Sequence, residues 1–424
     1  MEIRGGNGLV EFTLGLGPDG RVAVKRERVG VRTAEFAYEY DPRGRLVRVR
    51  RDGRTAEEYA YDPQGRRVAD AGGHGGRRRL EYDGAGRLIR AGDATYAYGP
   101  DGTLRNRRDR RGGLHLAYGR NLGLEYACTP GGREIECRSN QYGQPLEKSA
   151  GGAPGESFRW LDLLRLGAYR AADKGYSLAF HYPQGERLPH AATYADEEGS
   201  RTLRFGYDQV GSLKAVADER GEVLKRIDYD SFGNVLAEDW PWLFVPLGFA
   251  GGVRDRDTGF LRFGYRDYDP EVGRFVAQDP LGDTGGDHDP YEYCVDDPVN
   301  AVDPAGLFKM GGWPLRVLRA GLQGVKDGAI NGAVKGIVGG PYGMLVGAVG
   351  GAAMGAGSGM ARSGFSEIMG SKQTAHYADQ IPGGDMLLAL GRAEGGQGAA
   401  MGGSHLGGMA GNGLMDMGSS FFAS

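Results

Sequence analysis

Residues 279–307 gather the side chains in this chain best suited to chemistry. Asp279-Pro-Leu-Gly282 and Asp303-Pro-Ala-Gly306 each put a carboxylate at the head of a tight turn, with Asp287, Asp296 and Asp297 between them. Two carboxylates sharing one proton can hydrolyse a peptide without metal, serine or cysteine. One activates water, the other protonates the departing group, and their mutual repulsion separates their pKa values. Asp-Pro-x-Gly turns are rigid supports for such a pair. The 24 residues from Asp279 to Asp303 allow a hairpin to fold one turn over the other. On spacing alone the preferred reading is that both aspartates are plain turn residues, and Asp287, Asp296 and Asp297 are rival partners. Gln278 precedes Asp279 and Arg274 lies five residues back, so the candidate helpers are Arg274, Asp287 and Asp297. Cys294 lacks a histidine to activate it and reads as a buried thiol.

The elements that must position these groups are written as a repeat. Tyr40-Asp-Pro-Arg-Gly-Arg-Leu46 recurs as Tyr61-Asp-Pro-Gln-Gly-Arg-Arg67 and Tyr82-Asp-Gly-Ala-Gly-Arg-Leu88, each step being 21 residues. Degenerate copies stand at Tyr98, Tyr207 and Tyr229. A fixed period near 20 marks a repeat architecture. Asp accepts local hydrogen bonds, Pro presets the backbone, and Gly suits the exit of a turn. Alternating flanks such as Phe36-Ala-Tyr38-Glu-Tyr40 predict strands with one covered face, the tyrosines pairing across them.

Composition narrows the partners. Net charge is -3. Residues 41–110 hold 17 arginines, no lysine and 11 acidic residues. Without a stacking platform or recognition helix this predicts a solvated, edge-protecting strand face and no nucleic-acid partner. Cys128, Cys137 and Cys294 lack metal-ligand spacing; a Cys128–Cys137 clip is the less favoured reading. No metal and no cofactor is expected. Met1-Glu-Ile-Arg4 opens no apolar run, so the chain is expected to be cytoplasmic before delivery and then secreted by a specialised machine.

Gly211-Ser-Leu-Lys-Ala-Val216, Ile227-Asp-Tyr-Asp-Ser-Phe-Gly-Asn-Val235, Gly248-Phe-Ala-Gly-Gly252, Phe263-Gly-Tyr-Arg-Asp-Tyr-Asp-Pro270, Gly273-Arg-Phe275 and Asp279-Pro-Leu-Gly282 follow the Tyr-Asp repeats in order. With the terminal Pro298 to Leu307 stretch, the series resembles the Rhs (YD-repeat) core across residues 30 to 307. The resemblance implies a β-ribbon spiralling into a shell around a variable toxin tail, which self-cleavage after Leu307, before Phe308, releases. It implies Asp279 and Asp303 as the cleaving pair, delivery by type VI secretion or similar machinery, and an immunity protein. Family shells carry more repeats than are readable here, which implies an additional shell polypeptide or an orphan fragment.

The tail is a different polymer. Residues 308–424 hold 31 glycines, and 336–361 carry no charged side chain. Gly328, Gly332, Gly336 and Gly340, then Gly343, Gly347, Gly351, Gly355 and Gly359, fall four apart, which on a helix stacks them on one face. Such a stripe lets helices approach closely in lipid, whereas in water each interior glycine costs about 0.5–1 kcal/mol. The 26 residues of 336–361 can span about 30 Å of hydrocarbon. His376-Tyr-Ala-Asp379 is a weak polar cluster, read as a solvated loop.

The sequence therefore predicts a mainly β chain: a YD-repeat region (1–204), an Rhs core with its terminal cleavage signature (205–307), and a Gly-rich helical or disordered tail (308–424). Its enzymatic activity is at most aspartyl-type proteolysis of its own chain. Its function is that of a carrier freeing a membrane-active effector whose partner is a target membrane. The alternatives are an uncut cell-surface YD-repeat protein and an enzymatic toxin tail.

Overall fold

The computed structural model describes residues 2–72, 76–280 and 289–307, with the backbone of 310–311. Asp287, the Gly328–Gly359 ladder and His376 lie outside the described residues. A 23-stranded sheet runs from β1 (Glu2–Gly6) to β23 (Val235–Glu238), each strand pairing antiparallel with its successor. Residues 204 and 205 stand within β20 (Gly199–Tyr207), and the last strand of the ribbon ends at Glu238.

The turn chemistry explains the period. Asp41 accepts the amides of Arg43 (2.9 Å) and Arg45 (3.0 Å) on Oδ1, while its backbone closes onto Arg45 and Gly44. Asp83, Asp208 and Asp230 do the same. The fourth-position glycine must be left-handed, as at Gly44 (φ 85°) and Gly65 (φ 103°), and the pairing register shifts beside it. This is a type I turn closed by a glycine bulge. The same backbone recurs where the letters have decayed: Asn140 replaces Asp, and Gly119 and Thr129 head further copies.

Tyrosines and arginines then join one hairpin to the previous one. Tyr40, Tyr61 and Tyr82 donate their hydroxyls to Val22, Leu46 and Arg67 carbonyls at 2.7–2.9 Å. Burial pushes the Tyr82 hydroxyl up to about 12. Arg45 bonds Asp41 through Nε (2.7 Å) and lies 4.2 Å over the Tyr61 ring; Arg66 repeats this with Asp62 and Tyr82. Strand arginines such as Arg50, Arg54, Arg77, Arg79, Arg90 and Arg108 are exposed, as a solvated face requires, but Arg45 and Arg66 in the turns are not part of that face. These two are internal ties, whose charge is answered within each turn.

Residues 243–280 and 289–307 pack against the ribbon from one end to the other. Val299 joins a cluster with Leu14, Val22 and Leu46, Val272 and Val276 join one with Leu80 to Ile135, and Leu243 to Val253 join one with Phe158 to Ile227. Their own centre is aromatic: Phe249, Phe263, Tyr268, Phe275 and Tyr293. Buried ion pairs reinforce each contact, among them Arg107–Asp269 (3.2 Å) and Lys148–Asp255 (2.9 Å).

The ribbon's early and late strands also meet. Glu27 on β3 (Val22–Val29) binds Lys25 (3.0 Å) and, across the contact, Lys214 on β21 (Leu213–Ala217; 3.2 Å). Burial alone would raise the Glu27 carboxyl, but the two ammonium groups hold it at about 2. A depressed carboxylate contributes stability that is complete above the unfolded value, near 4.5, and is lost as pH falls towards 2. Two to three pKa units correspond to about 3 kcal/mol. Urea unfolding between pH 5 and 2 should show this loss. Glu27→Gln, weaker near neutral pH because two lysines stay buried, should show a flatter acid slope and approach the native protein near pH 2.

Candidate active site

The site forms where the segment after β26 (Arg266–Asp269) meets the end of the described chain. Arg266 is buried, stacked 3.7 Å over Phe275. One of its terminal nitrogens reaches Asp279 Oδ2 at 2.8 Å and Asp303 Oδ2 at 3.5 Å. The two carboxylate oxygens can be no farther apart than the sum of those lengths. Asp303 Oδ1 accepts the Leu307 amide (3.1 Å), and Arg266 Nε donates to the Gly306 carbonyl (2.5 Å). The Gly306–Leu307 peptide is thus gripped on both sides, one residue before the bond expected to break. Asp279 is braced by its amide on the Pro290 carbonyl (2.9 Å), which also accepts from Arg266 (3.0 Å).

The loop's course depends on close backbone contact. Tyr265 donates its amide to the Ala305 carbonyl (2.9 Å), and a side chain at Gly264 (φ 46°) would collide with Ala305. Gly306 takes a left-handed φ of 66° against the Phe263 carbonyl, a geometry that disfavours any residue with a Cβ. Beyond the loop, β28 (Ala301–Val302) pairs with β29 (Met310–Gly311). Along the chain, the Leu307–Phe308 bond therefore falls between two paired strands. Tyr293, buried below, has its hydroxyl pushed well up by burial, with the Asp303 charge adding to the effect.

The other sequence candidates lie elsewhere. Arg274 on β27 (Arg274–Phe275) forms a two-pronged pair with Asp289 (2.7 and 2.8 Å) and donates to the Gly86 carbonyl (3.1 Å). It therefore ties the core to the ribbon, and Arg266 is the cation beside the aspartates. Asp297 binds Arg21 (3.2 Å) and Asn300 (2.8 Å), and burial raises its carboxyl. Asp296 faces Arg67 (3.9 Å) within a run of three left-handed residues, Cys294 to Asp296, and is likewise raised by burial. Cys294 is buried, and neither it nor Cys128 nor Cys137 is in a disulfide. Sequence reasoning misses Arg266 although it stands inside Phe263–Pro270; no local pattern ties it to residues 13 and 37 positions on. Among the described residues no group of three His, Cys, Asp or Glu could hold a metal, and no helix is long and apolar enough to cross a membrane.

The family described as Teneurin YD-shell matches residues 10–124 and 184–291, more than half the chain. The chain belongs to that family. It is an Rhs/YD-repeat protein, as the ordered motifs implied. It is 31% identical over 306 residues to Double-stranded DNA deaminase toxin A of Burkholderia cenocepacia, covering 64% of this chain and 20% of that one. Toxin protein Tse5 of Pseudomonas aeruginosa is 31% identical over 247 residues (57% and 18%), and human Teneurin-4 is 26% identical over 268 (61% and 9%). The chain thus spans a fifth or less of these relatives. A crystal structure of TcdB2-TccC3-TEV superposes with a TM-score of 0.44 at 16% identity, covering 71% of this chain and 18% of that one.

Proposed function

We propose that this protein is a toxin carrier that cuts itself after Leu307 and frees residues 308–424 as an effector. The observation that carries the reading is Arg266, which gathers Asp279 and Asp303 while Asp303 holds the Leu307 amide. In this reading one carboxylate takes a proton from water as the oxygen adds to the Leu307 carbonyl carbon. The other gives its proton to the Phe308 nitrogen as the C–N bond breaks, leaving a carboxylate on Leu307 and an amine on Phe308. Arg266 fixes both carboxylates and offsets the charge between them. Among the described residues, the freed end is joined to the core by the two-residue β28–β29 ladder, which is short enough to separate.

Two of the relatives are named as toxins, which supports the cargo reading. Delivery by type VI or similar secretion machinery, a cytoplasmic stage before it, an immunity protein, and a further shell polypeptide belong to the same proposal. The tail's charge-free, glycine-laddered stretch at 336–361 favours action on a target membrane. Expression followed by a denaturing gel and intact mass tests the carrier: a 117-residue fragment beginning at Phe308 is expected. A single uncut band would instead favour a YD-repeat protein that keeps its tail. Residues 308–424 added to dye-loaded vesicles are expected to release the dye. Intact vesicles with killing retained would point to an enzymatic tail.

A further inference from the structure

The reacting groups all come from residues 266–307, but the seat of the Leu307 side chain does not. Leu307 is 1% exposed and shares a buried cluster with Leu163 and Ala305, against which Tyr142, Leu164 and Tyr265 pack. Leu163 and Leu164 stand in the ribbon turn at 161–165, and Tyr142 in the turn at 140–144. These two turns are fastened to each other. The buried Gln144 side-chain amide donates to the carbonyls of Asp162 (3.0 Å) and Leu163 (3.1 Å). They are also fastened to the core. Arg262 on β25 (Leu261–Phe263) donates to the carbonyls of Leu122 (2.7 Å) and Tyr142 (3.2 Å), and a side chain at Gly143 would strike its guanidinium.

Resting on the self-cleavage reading, we infer that these ribbon turns form a side-chain-selecting pocket for Leu307, fixing where the chain is cut and withholding the cut until the ribbon has closed over the core. The Gly306–Leu307 peptide is held by Asp303 and Arg266, but hydrogen bonds to a backbone accept any side chain. Only the apolar seat distinguishes leucine from another residue. A chain whose middle hairpins are not yet docked has its aspartates but no seat, and the scissile bond is not presented.

The test follows cleavage over time in the full chain by intact mass, with unfolding of each variant measured in an Asp279→Asn background to confirm that it folds. Leu307→Ala and Leu307→Asp should slow cutting by about tenfold to a hundredfold, the range for a misfilled apolar pocket. Leu163→Phe should slow it as well, by overfilling the seat. Leu307→Ala combined with Leu163→Phe should regain rate, which a merely structural role would not produce. Single variants that cut at the native rate and position, or a double variant no faster than Leu307→Ala, would overturn the pocket while leaving self-cleavage standing. A wild-type chain that never cuts would sink both.

Discussion

Asp303→Asn is expected to run as one band at the full 45.4 kDa, and Asp279→Asn likewise, where the native chain separates into core and 117-residue tail. Each substitution keeps the side chain's shape and removes its capacity to exchange a proton. General acid–base catalysis of this kind contributes about 10²–10⁴-fold for each group. In Asp303→Asn the side-chain amide oxygen could still accept the Leu307 N–H, so the loop would stay in place and the loss would be chemical. The measurement is the fraction cut after hours at native pH. Either variant cutting at the native rate would remove that aspartate from the proposed pair, and Asp296 or Asp297, which face Arg67 and Arg21, would have to be reconsidered.

Lys148→Met is expected to be the most destabilising single change away from the site. The Lys148 ammonium is 4% exposed and lies within 3.0 Å of Glu156, 2.9 Å of Asp255 and 2.5 Å of Asp257. Burial opposes its charge, yet the three carboxylates hold its pKa well above the usual lysine value. Arg256 on Glu156 (3.3 Å) and Arg133 on Asp257 (3.6 Å) offset part of the acidic charge left behind. Asp255, held low by Lys148 despite its burial, would be left as a buried carboxylate without that cation. Breaking a buried pair from one side costs about 3–5 kcal/mol. The check is urea unfolding in an Asp279→Asn background, so that cutting does not confuse the transition. A change below about 1 kcal/mol would mean that the core segment is not fastened to the ribbon here.

Much of the fold is legible in the letters because each turn is a local device. Asp41, Gly44 and the arginine at 45 satisfy one another within five residues, so the period appears directly in the sequence. The legibility ends where the device keeps its backbone and changes its letters: Asn140 bonds as the aspartates do, and Gly119 keeps the turn with no side chain at all. The turn arginines Arg45 and Arg66 mislead for a related reason. Their acidic partners are local, but the rings they cover belong to the next hairpin.

Sequence by itself determined the strand ribbon, the Asp303-Pro-Ala-Gly306 turn and the abrupt change of composition after Leu307, since turn geometry and period are set by neighbours along the chain. Only tertiary structure decided which cation meets the aspartates and what surrounds Leu307. Arg274 is nearer in sequence, but the core folds it onto Asp289 and the ribbon, while Arg266 is brought to Asp279 and Asp303 across a hairpin. Charges and apolar seats act through space, and one-dimensional spacing says nothing of distances that chain packing creates.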